Sequence, residues 1–189
     1  MVIDKNSALV DNDFVGHVSD IDRPQEEVAD ITKRILSGLS VIAIMHPLVY
    51  DNELLKSDRN LFFFSEGVFH QTSFSEIFQE DKEKENYYCY LVPELYKKLN
   101  GAIYDTKGQP MLTYWVRKES LGEIHSMATC LVCGCGIFLS DDKDSKRLRE
   151  TIEKEYSEVI SVYDREDVVK LIPSGTVSRT ERRVFSHAR

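Results

Sequence analysis

The stretch Ser-Ala-Leu-Val-Asp-Asn-Asp at residues 7–13 is a short apolar run that ends abruptly in carboxylates. A second stretch of the same kind, Gly-Ile-Phe-Leu-Ser-Asp-Asp-Lys-Asp, occupies residues 136–144. Both runs are followed by residues that favour the start of a helix. In an open α/β sheet, ligands collect at the carboxyl ends of the strands. Two acidic strand ends from distant parts of the chain therefore predict one shared acidic pocket, which we expect to hold a divalent metal ion.

Length and composition predict a single globular domain over residues 1–189. The chain has 189 residues, a formal net charge of −8 and 42% hydrophobic residues, and a chain of this length buries a sizeable core without disulfides. The acidic balance argues against a protein that coats nucleic acid, because such proteins are usually basic. It leaves open an enzyme that acts on nucleic acid through a bound metal.

The same features predict a cytoplasmic protein that does not enter a membrane. No apolar run approaches the ~20 residues that a membrane span needs, and the first residues lack the basic and apolar regions of a signal peptide. Three of the four cysteines lie within residues 130–135, which is a poor disulfide framework and indicates a reducing compartment.

Short apolar runs alternate with helical periodicity, and this order favours a parallel α/β sheet. Four strands are predicted, at residues 2–10, 41–45, 137–139 and 159–162. Helices are predicted around them, at residues 24–38, 48–55, 87–99, 121–133, 144–156 and 164–171. The less regular segment 57–118 is interpreted as a helical elaboration, and residues 174–189 as a basic C-terminal tail or helix.

Four acidic positions recur where such a fold brings side chains together. Asp11 ends the first strand, Asp51 or Glu53 follows the second strand, Glu123 begins a helix, and Asp142 follows the third strand. Clustered carboxylates repel one another unless a cation neutralises them, and hard oxygen ligands select Mg²⁺ or Mn²⁺ over Zn²⁺. Taken singly, each Asp is also an ordinary turn or N-cap residue.

Residues 9–15, 121–128 and 138–144 resemble the acidic motifs of PIN-domain ribonucleases. In that family an Asp ends the first strand, a second acid lies on the helix after strand two, a third begins a long helix, and a fourth follows the next strand as Thr/Ser-x-Asp. The run Ser140-Asp141-Asp142 is similar to that last pattern. The resemblance covers about residues 7–56 and 119–172, and it implies a three-layer α/β/α fold with a central parallel sheet of four to five strands and an inserted helical region.

The resemblance also implies an activity, namely metal-dependent endoribonuclease cleavage in which Mg²⁺ or Mn²⁺ activates the attacking water. The implied catalytic residues are Asp11, Glu53, Glu123 and Asp142, and of these Asp11, Glu123 and Asp142 bind the metal. The supporting or capping residues are Asn12, Asp13, Asp51, Ser140, Asp141 and Asp144. RNA is the implied substrate, an antitoxin protein and a second copy of the chain are the implied partners, and no membrane is involved.

The second acid is left open between Asp51 and Glu53. Two residues apart on a helix, they point about 200° away from each other, so only one faces the pocket. Glu53 is slightly favoured, because the Leu-Leu that follows it resembles the usual run of the family.

Two other functions compete with the nuclease. Asp11-Asn12-Asp13 after an apolar strand also resembles the signature of haloacid-dehalogenase-like phosphatases, in which Asp11 would be the nucleophile and Asp13 the general acid. In that reading Glu123 has no role, and no convincing lysine motif precedes the last acids. The third reading is a PIN-like binding module without activity, which an incomplete set of acids would produce.

Other chemically notable residues are interpreted as structural. Cys130, Cys133 and Cys135 are expected to pack in the core, since free cysteine is commonly a small buried hydrophobe. His125 is given no role. Residues 62–64 and Trp115 are expected in a core or an interface, and the arginines of the tail are expected to be solvated unless they contact phosphates.

Overall fold

A computed structural model of the chain describes residues 3–100, 121–142, 145–146, 149–150, 153–154 and 160–186. Its described strands form one sheet in the order β3-β2-β1-β4-β5, and every neighbouring pair is parallel. The strands are β1 Ser7–Val10, β2 Ile42–Met45, β3 His70–Gln71, β4 Ile137–Leu139 and β5 Ser161–Tyr163. The predicted α/β class with a parallel sheet of four to five strands is confirmed.

Helices connect these strands, as parallel pairing requires. Within the first 100 residues, the helices are α1 Asn12–Ser19, α2 Gln25–Gly38, α3 Pro47–Asn52, α4 Asp58–Ser65, α5 Phe74–Phe78 and α6 Lys82–Asn100, with a 3₁₀ turn at Leu54–Lys56. Those that follow are α7 Leu121–Cys133, α8 Arg165–Leu171 and α9 Arg179–Ser186. No helix in the described ranges has the length and apolar character to cross a membrane.

The sheet has a hydrophobic core on each face, which makes three layers. Alternation along β1 shows why, because Ala8 and Val10 enter one core while Leu9 enters the other. The first core contains buried side chains of α1, α2, α4, α8 and α9. The second contains those of α5, α6 and α7. Strands buried on both faces explain the continuous apolar runs in the sequence.

Several elements differ from the sequence prediction. The first strand begins at Ser7 rather than at residue 2, and α6 begins at Lys82 rather than at residue 87. The helix predicted for residues 48–55 ends at Asn52 and gives way to the 3₁₀ turn, so Glu53 is the C-cap of α3 rather than part of its interior. The middle of the chain also contains β3, which pairs with β2. A two-residue strand is too short to show an alternating pattern, and for this reason the sequence did not reveal it. Residues 101–118, including Trp115, lie outside the described ranges.

The basic C-terminal segment forms α9 and includes a structural arginine. The Arg182 guanidinium donates to the carbonyl oxygens of Val169 at 2.8 Å and Pro173 at 2.6 Å, and it also reaches the carbonyl of Ile172. These carbonyls lie at the end of α8, where backbone acceptors have no partner within the helix. Arg182 therefore anchors α9 to α8 instead of extending into solvent, while Arg183 is exposed.

Candidate functional site

Asp11 is the centre of a cluster of acidic side chains at the carboxyl end of β1, and this cluster is called the acidic pocket. Its side chain is only 4% exposed. Oδ1 accepts a hydrogen bond from the Asn12 backbone N–H at 2.8 Å and caps α1, and Oδ2 accepts one from the Ser140 hydroxyl at 3.1 Å. The capping role and the pocket role considered from sequence are thus combined in one residue.

Ser140 connects the two acidic strand ends. Its hydroxyl donates to Asp11 and accepts the backbone N–H of Asp142 at 3.1 Å. The Ser145 hydroxyl lies 2.8 Å away; because the Ser140 proton is directed at Asp11, Ser145 is the donor of that pair. Ser140 is fully buried, and its hydroxyl group holds the loop after β4 against Asp11.

The start of α7 closes the pocket from the other side. A Cβ atom at Gly122 would lie 2.0 Å from Asp11 Oδ1, so the absence of a side chain there lets the helix approach the carboxylate. Glu123 follows in the first turn of α7, is 7% exposed, and hydrogen-bonds through its side chain to Asp142. The structure therefore brings Asp11, Glu123 and Asp142 together.

Burial and mutual repulsion dominate the electrostatics of this pocket. Burial raises the pKa of Asp11 to about 7, with repulsion from Asp13 and Glu53 adding to it. Burial likewise raises the pKa of Glu123 to about 9, reinforced by the charges of Asp11 and Asp142. Both carboxyl groups hold their protons more strongly than an ordinary acid, which is typical of carboxylates that share a site.

The structure separates the two candidates for the second acid. Asp51 is exposed on α3. Glu53 is half-buried at the end of that helix, and its charge acts on Asp11. Of the two, Glu53 is the one coupled to the pocket.

Asp13 and Asp141 form the rim of the pocket. Burial raises the pKa of Asp13, and the charges of Asp142 and Asp141 raise it further while His17 lowers it. Asp141 accepts hydrogen bonds from His17 Nδ1 and from Arg165 Nε, both at 2.7 Å. It also accepts the Arg165 backbone N–H at 3.0 Å. Asp144 lies outside the described residues.

His17 at this rim was not predicted from the sequence. His17 is half-exposed at 51% and held by Asp141. It follows Asp13 by one helical turn on α1, so the spacing alone places both on one face. The sequence carried that signal, but nothing in it indicated that Asp141, 124 residues away, would hold the imidazole.

Asn12, the residue that follows Asp11, carries an amide oxygen that lacks a partner. Asn12 Oδ1 is buried and accepts no hydrogen bond in the described part of the chain. A buried acceptor of this kind is costly. Across the described ranges, no three His, Cys, Asp or Glu side chains are arranged so that they could hold a metal ion as they stand.

A buried polar cluster lies beside the pocket and was also missed. The Tyr88 hydroxyl is 2.8 Å from His46 Nε2 and 2.6 Å from His125 Nδ1, and all three side chains are buried. The two imidazoles stack with ring centres 5.1 Å apart. His125, which received no role from sequence, is part of a network that joins three helices.

The cysteines behave largely as expected. Cys130 and Cys135 are buried and donate to backbone carbonyls at 3.7 Å from Cys130 to Ile137 and 2.8 Å from Cys135 to Ser7. Cys133 is half-buried against the carbonyl of Ile77. They belong to the second core, between α7 and the sheet.

Comparison with known proteins identifies no relative of this chain. No family model, no curated protein and no solved structure matches it.

Proposed function

We propose that this chain is a metal-dependent endoribonuclease of the PIN-like type, with its active site in the pocket formed by Asp11, Glu53, Glu123 and Asp142. The observation that carries the proposal is the burial of Asp11 and Glu123 together with Asp142 at the carboxyl end of the parallel sheet. Four elements distant in sequence contribute to this cluster.

Mutual repulsion is the physical reason to expect a cation. Asp11 and Glu123 both have a raised pKa because each is buried among other carboxylates. A buried group of like charges is unfavourable unless it is neutralised by protons or by a cation. The donors are carboxylate oxygens, which favour Mg²⁺ or Mn²⁺.

The unpaired oxygen of Asn12 and the close approach at Gly122 fit the same interpretation. Asn12 Oδ1 is a buried acceptor without a donor among the described residues, and hard cations and their waters bind such oxygens. Gly122 leaves the space beside Asp11 Oδ1 that any side chain would fill. The oxygen donors therefore suit a divalent ion in their chemistry. No three of the described side chains could hold one as they stand, so the proposal requires Asp11, Glu123 and Asp142 to converge on the ion as direct ligands, with Glu53 completing the set.

When bound, such an ion supplies charge that polarises a phosphate and acidifies water. The chain's own residues would do the rest. Ser140 orients the Asp11 carboxylate, and Asp141 holds His17 at the rim, where a phosphodiester would enter. RNA as substrate and an inhibitory antitoxin partner follow from the PIN-like resemblance and belong to the same proposal.

Calorimetric titration with Mn²⁺ tests the metal site directly. Wild-type protein should bind Mn²⁺, and Asp11→Asn and Glu123→Gln should each weaken binding at least roughly tenfold. Asp51→Asn is the matched control, because Asp51 is exposed on α3, and it should bind like wild type. Glu53→Gln should weaken binding. Equal affinities for all of these variants would contradict the proposed site.

Hydrolysis assays distinguish the nuclease from its alternatives. A fluorescently labelled single-stranded RNA should be cut only with Mg²⁺ or Mn²⁺ present, and Glu123→Gln should abolish the cleavage. Hydrolysis of a phosphomonoester that requires Asp13 but tolerates Glu123→Gln would instead support the phosphatase. Metal binding without hydrolysis of either substrate would support a binding module.

A further inference from the structure

The buried cluster of His46, Tyr88 and His125 connects the two helices that carry acids of the pocket. His46 directly follows β2 and is the N-cap of α3, whose C-cap is Glu53. His125 lies two residues after Glu123 on α7. Tyr88 belongs to α6, which packs against α7, and α3 itself packs against α7.

The hydrogen bonds of this cluster have a defined direction. The backbone N–H of Leu48 donates to His46 Nδ1 at 3.2 Å, so the ring proton of His46 is on Nε2. His46 Nε2 then donates to the Tyr88 oxygen, and the Tyr88 hydroxyl donates to His125 Nδ1. One hydroxyl therefore serves as acceptor for the start of α3 and as donor to α7.

Ring packing reinforces this arrangement. His46 stacks on Tyr88 with an interplanar angle of 9° and on His125 with an angle of 24°. Phe74 packs edge-on against His46 with ring centres 5.3 Å apart. Because polar groups buried in this way are costly when a partner is lost, the cluster favours a single relative placement of the two helices.

We propose that Tyr88 is a positioning residue of the acidic pocket, whose hydroxyl bridges His46 and His125 and so holds α3 and α7 where Glu53 and Glu123 both act on the Asp11 site. This role rests on the proposed function, since its purpose is to place ligands for a divalent ion. Groups that orient metal ligands commonly affect metal affinity roughly 10- to 100-fold.

Tyr88→Phe is the decisive variant, because it removes the bridging hydroxyl and keeps the ring. We expect its Mn²⁺ affinity, measured by calorimetry on the full chain, to fall about tenfold. Hydrogen exchange of backbone amides in α3 and α7 should accelerate by about tenfold, as expected when buried ring nitrogens lose a partner. His46→Asn retains a side-chain acceptor for capping α3 but is too short to reach Tyr88, and it should show the same loss.

Two control variants separate positioning from general stability. Thr129→Val removes a buried hydroxyl of α7 that donates to the His125 carbonyl at 2.8 Å; it should lower stability and leave Mn²⁺ affinity unchanged. Tyr90→Phe alters a tyrosine of α6 that is 58% exposed and should change neither property.

The outcomes distinguish this inference from the proposed function. If wild type binds Mn²⁺ and Tyr88→Phe and His46→Asn bind it equally well, the positioning role of Tyr88 is overturned and the proposed function stands. Absence of Mn²⁺ binding in wild type would overturn the proposed function and the role of Tyr88 in it, while hydrogen exchange would still decide whether Tyr88 holds α3 to α7. The positioning role of Tyr88 is supported if Tyr88→Phe and His46→Asn both bind Mn²⁺ more weakly and exchange faster, while Thr129→Val keeps the wild-type affinity.

Discussion

The Ser140 hydroxyl donates a hydrogen bond of 3.1 Å to Asp11 Oδ2 across 129 residues of sequence. The contact follows from the pairing of β1 with β4, in which Val10 is the partner of Leu139. The residues just after this pair are Asp11 and Ser140, and the Asp11 backbone N–H also donates to the Leu139 carbonyl at 2.9 Å. Parallel pairing thus places a hydroxyl donor beside the buried carboxylate.

Replacing Gly122 with alanine should damage the pocket through a steric effect. The new Cβ would lie 2.0 Å from Asp11 Oδ1, so the carboxylate would have to leave its hydrogen bonds with Asn12 and Ser140. We expect Mn²⁺ affinity to fall by roughly tenfold or more. Gly16→Ala is the matched control, since a Cβ there meets nothing within 4 Å; it should stabilise the protein by up to about 1 kcal/mol and keep Mn²⁺ affinity. Unchanged affinity in Gly122→Ala would show that Asp11 is not a ligand.

Stability without metal should decrease as the pH rises. Burial raises the pKa of Asp11 to about 7 and that of Glu123 to about 9, whereas both groups ionise near pH 4 in the unfolded chain. Between those limits the unfolded chain binds fewer protons than the folded protein, so the free energy of unfolding falls with increasing pH. Urea denaturation from pH 5 to pH 9 in the presence of a chelator measures this slope.

Glu123→Gln should reduce that slope and stabilise the metal-free protein at neutral pH, since it removes a buried acid. The gain should be at least about 1.4 kcal/mol, which is the value of one unit of pKa shift. Mn²⁺ at 100 times the wild-type Kd should stabilise wild type by about 2.7 kcal/mol and should stabilise this variant by less, because the variant binds the ion more weakly. A variant less stable than wild type at pH 8 would disprove the repulsion described for the pocket.

At acid pH, His46 should make the protein less stable as the pH falls, which is opposite to the effect of Asp11 and Glu123. Burial, with a smaller contribution from His125, lowers the pKa of His46 well below its usual range. Below the ordinary histidine pKa of about 6.5, the unfolded chain binds a proton that the folded protein excludes, so stability falls as the pH drops. His46→Gln should lessen this loss, as measured by thermal unfolding between pH 4.5 and pH 7. An identical pH dependence in both proteins would count against a buried neutral imidazole.

Arg182 should contribute to stability and not to binding of nucleic acid. Its guanidinium donates to three carbonyls at the end of α8, and Arg182→Ala should destabilise the protein by about 1–2 kcal/mol because these partly exposed acceptors lose a charged donor. Arg183→Ala, which removes an exposed side chain of α9, should change stability by less than about 0.5 kcal/mol. Denaturant unfolding of the two variants provides the comparison.

Much of the fold follows from local pattern in the sequence. The runs at 41–45 and 137–139 are apolar throughout because a hydrophobic core covers each face of the sheet. β2 and β4 occupy Ile42–Met45 and Ile137–Leu139, and Ile42 at the start of β2 is 45% exposed. The helix predicted at residues 121–133 matches α7 in both bounds. In contrast, β3 has two residues and carries no periodic signal, so its pairing with β2 decides its structure.

For the site, the sequence by itself determined which acids stand at strand ends and helix starts, because those positions are encoded by local patterns around Asp11, Glu123 and Asp142. Tertiary structure alone decided that Glu53 rather than Asp51 acts on Asp11, that Asp141 holds His17, and that Tyr88 bridges two histidines. These relations depend on distances between residues far apart in the chain. Periodicity reports the face of one element, whereas such distances arise only when the elements pack.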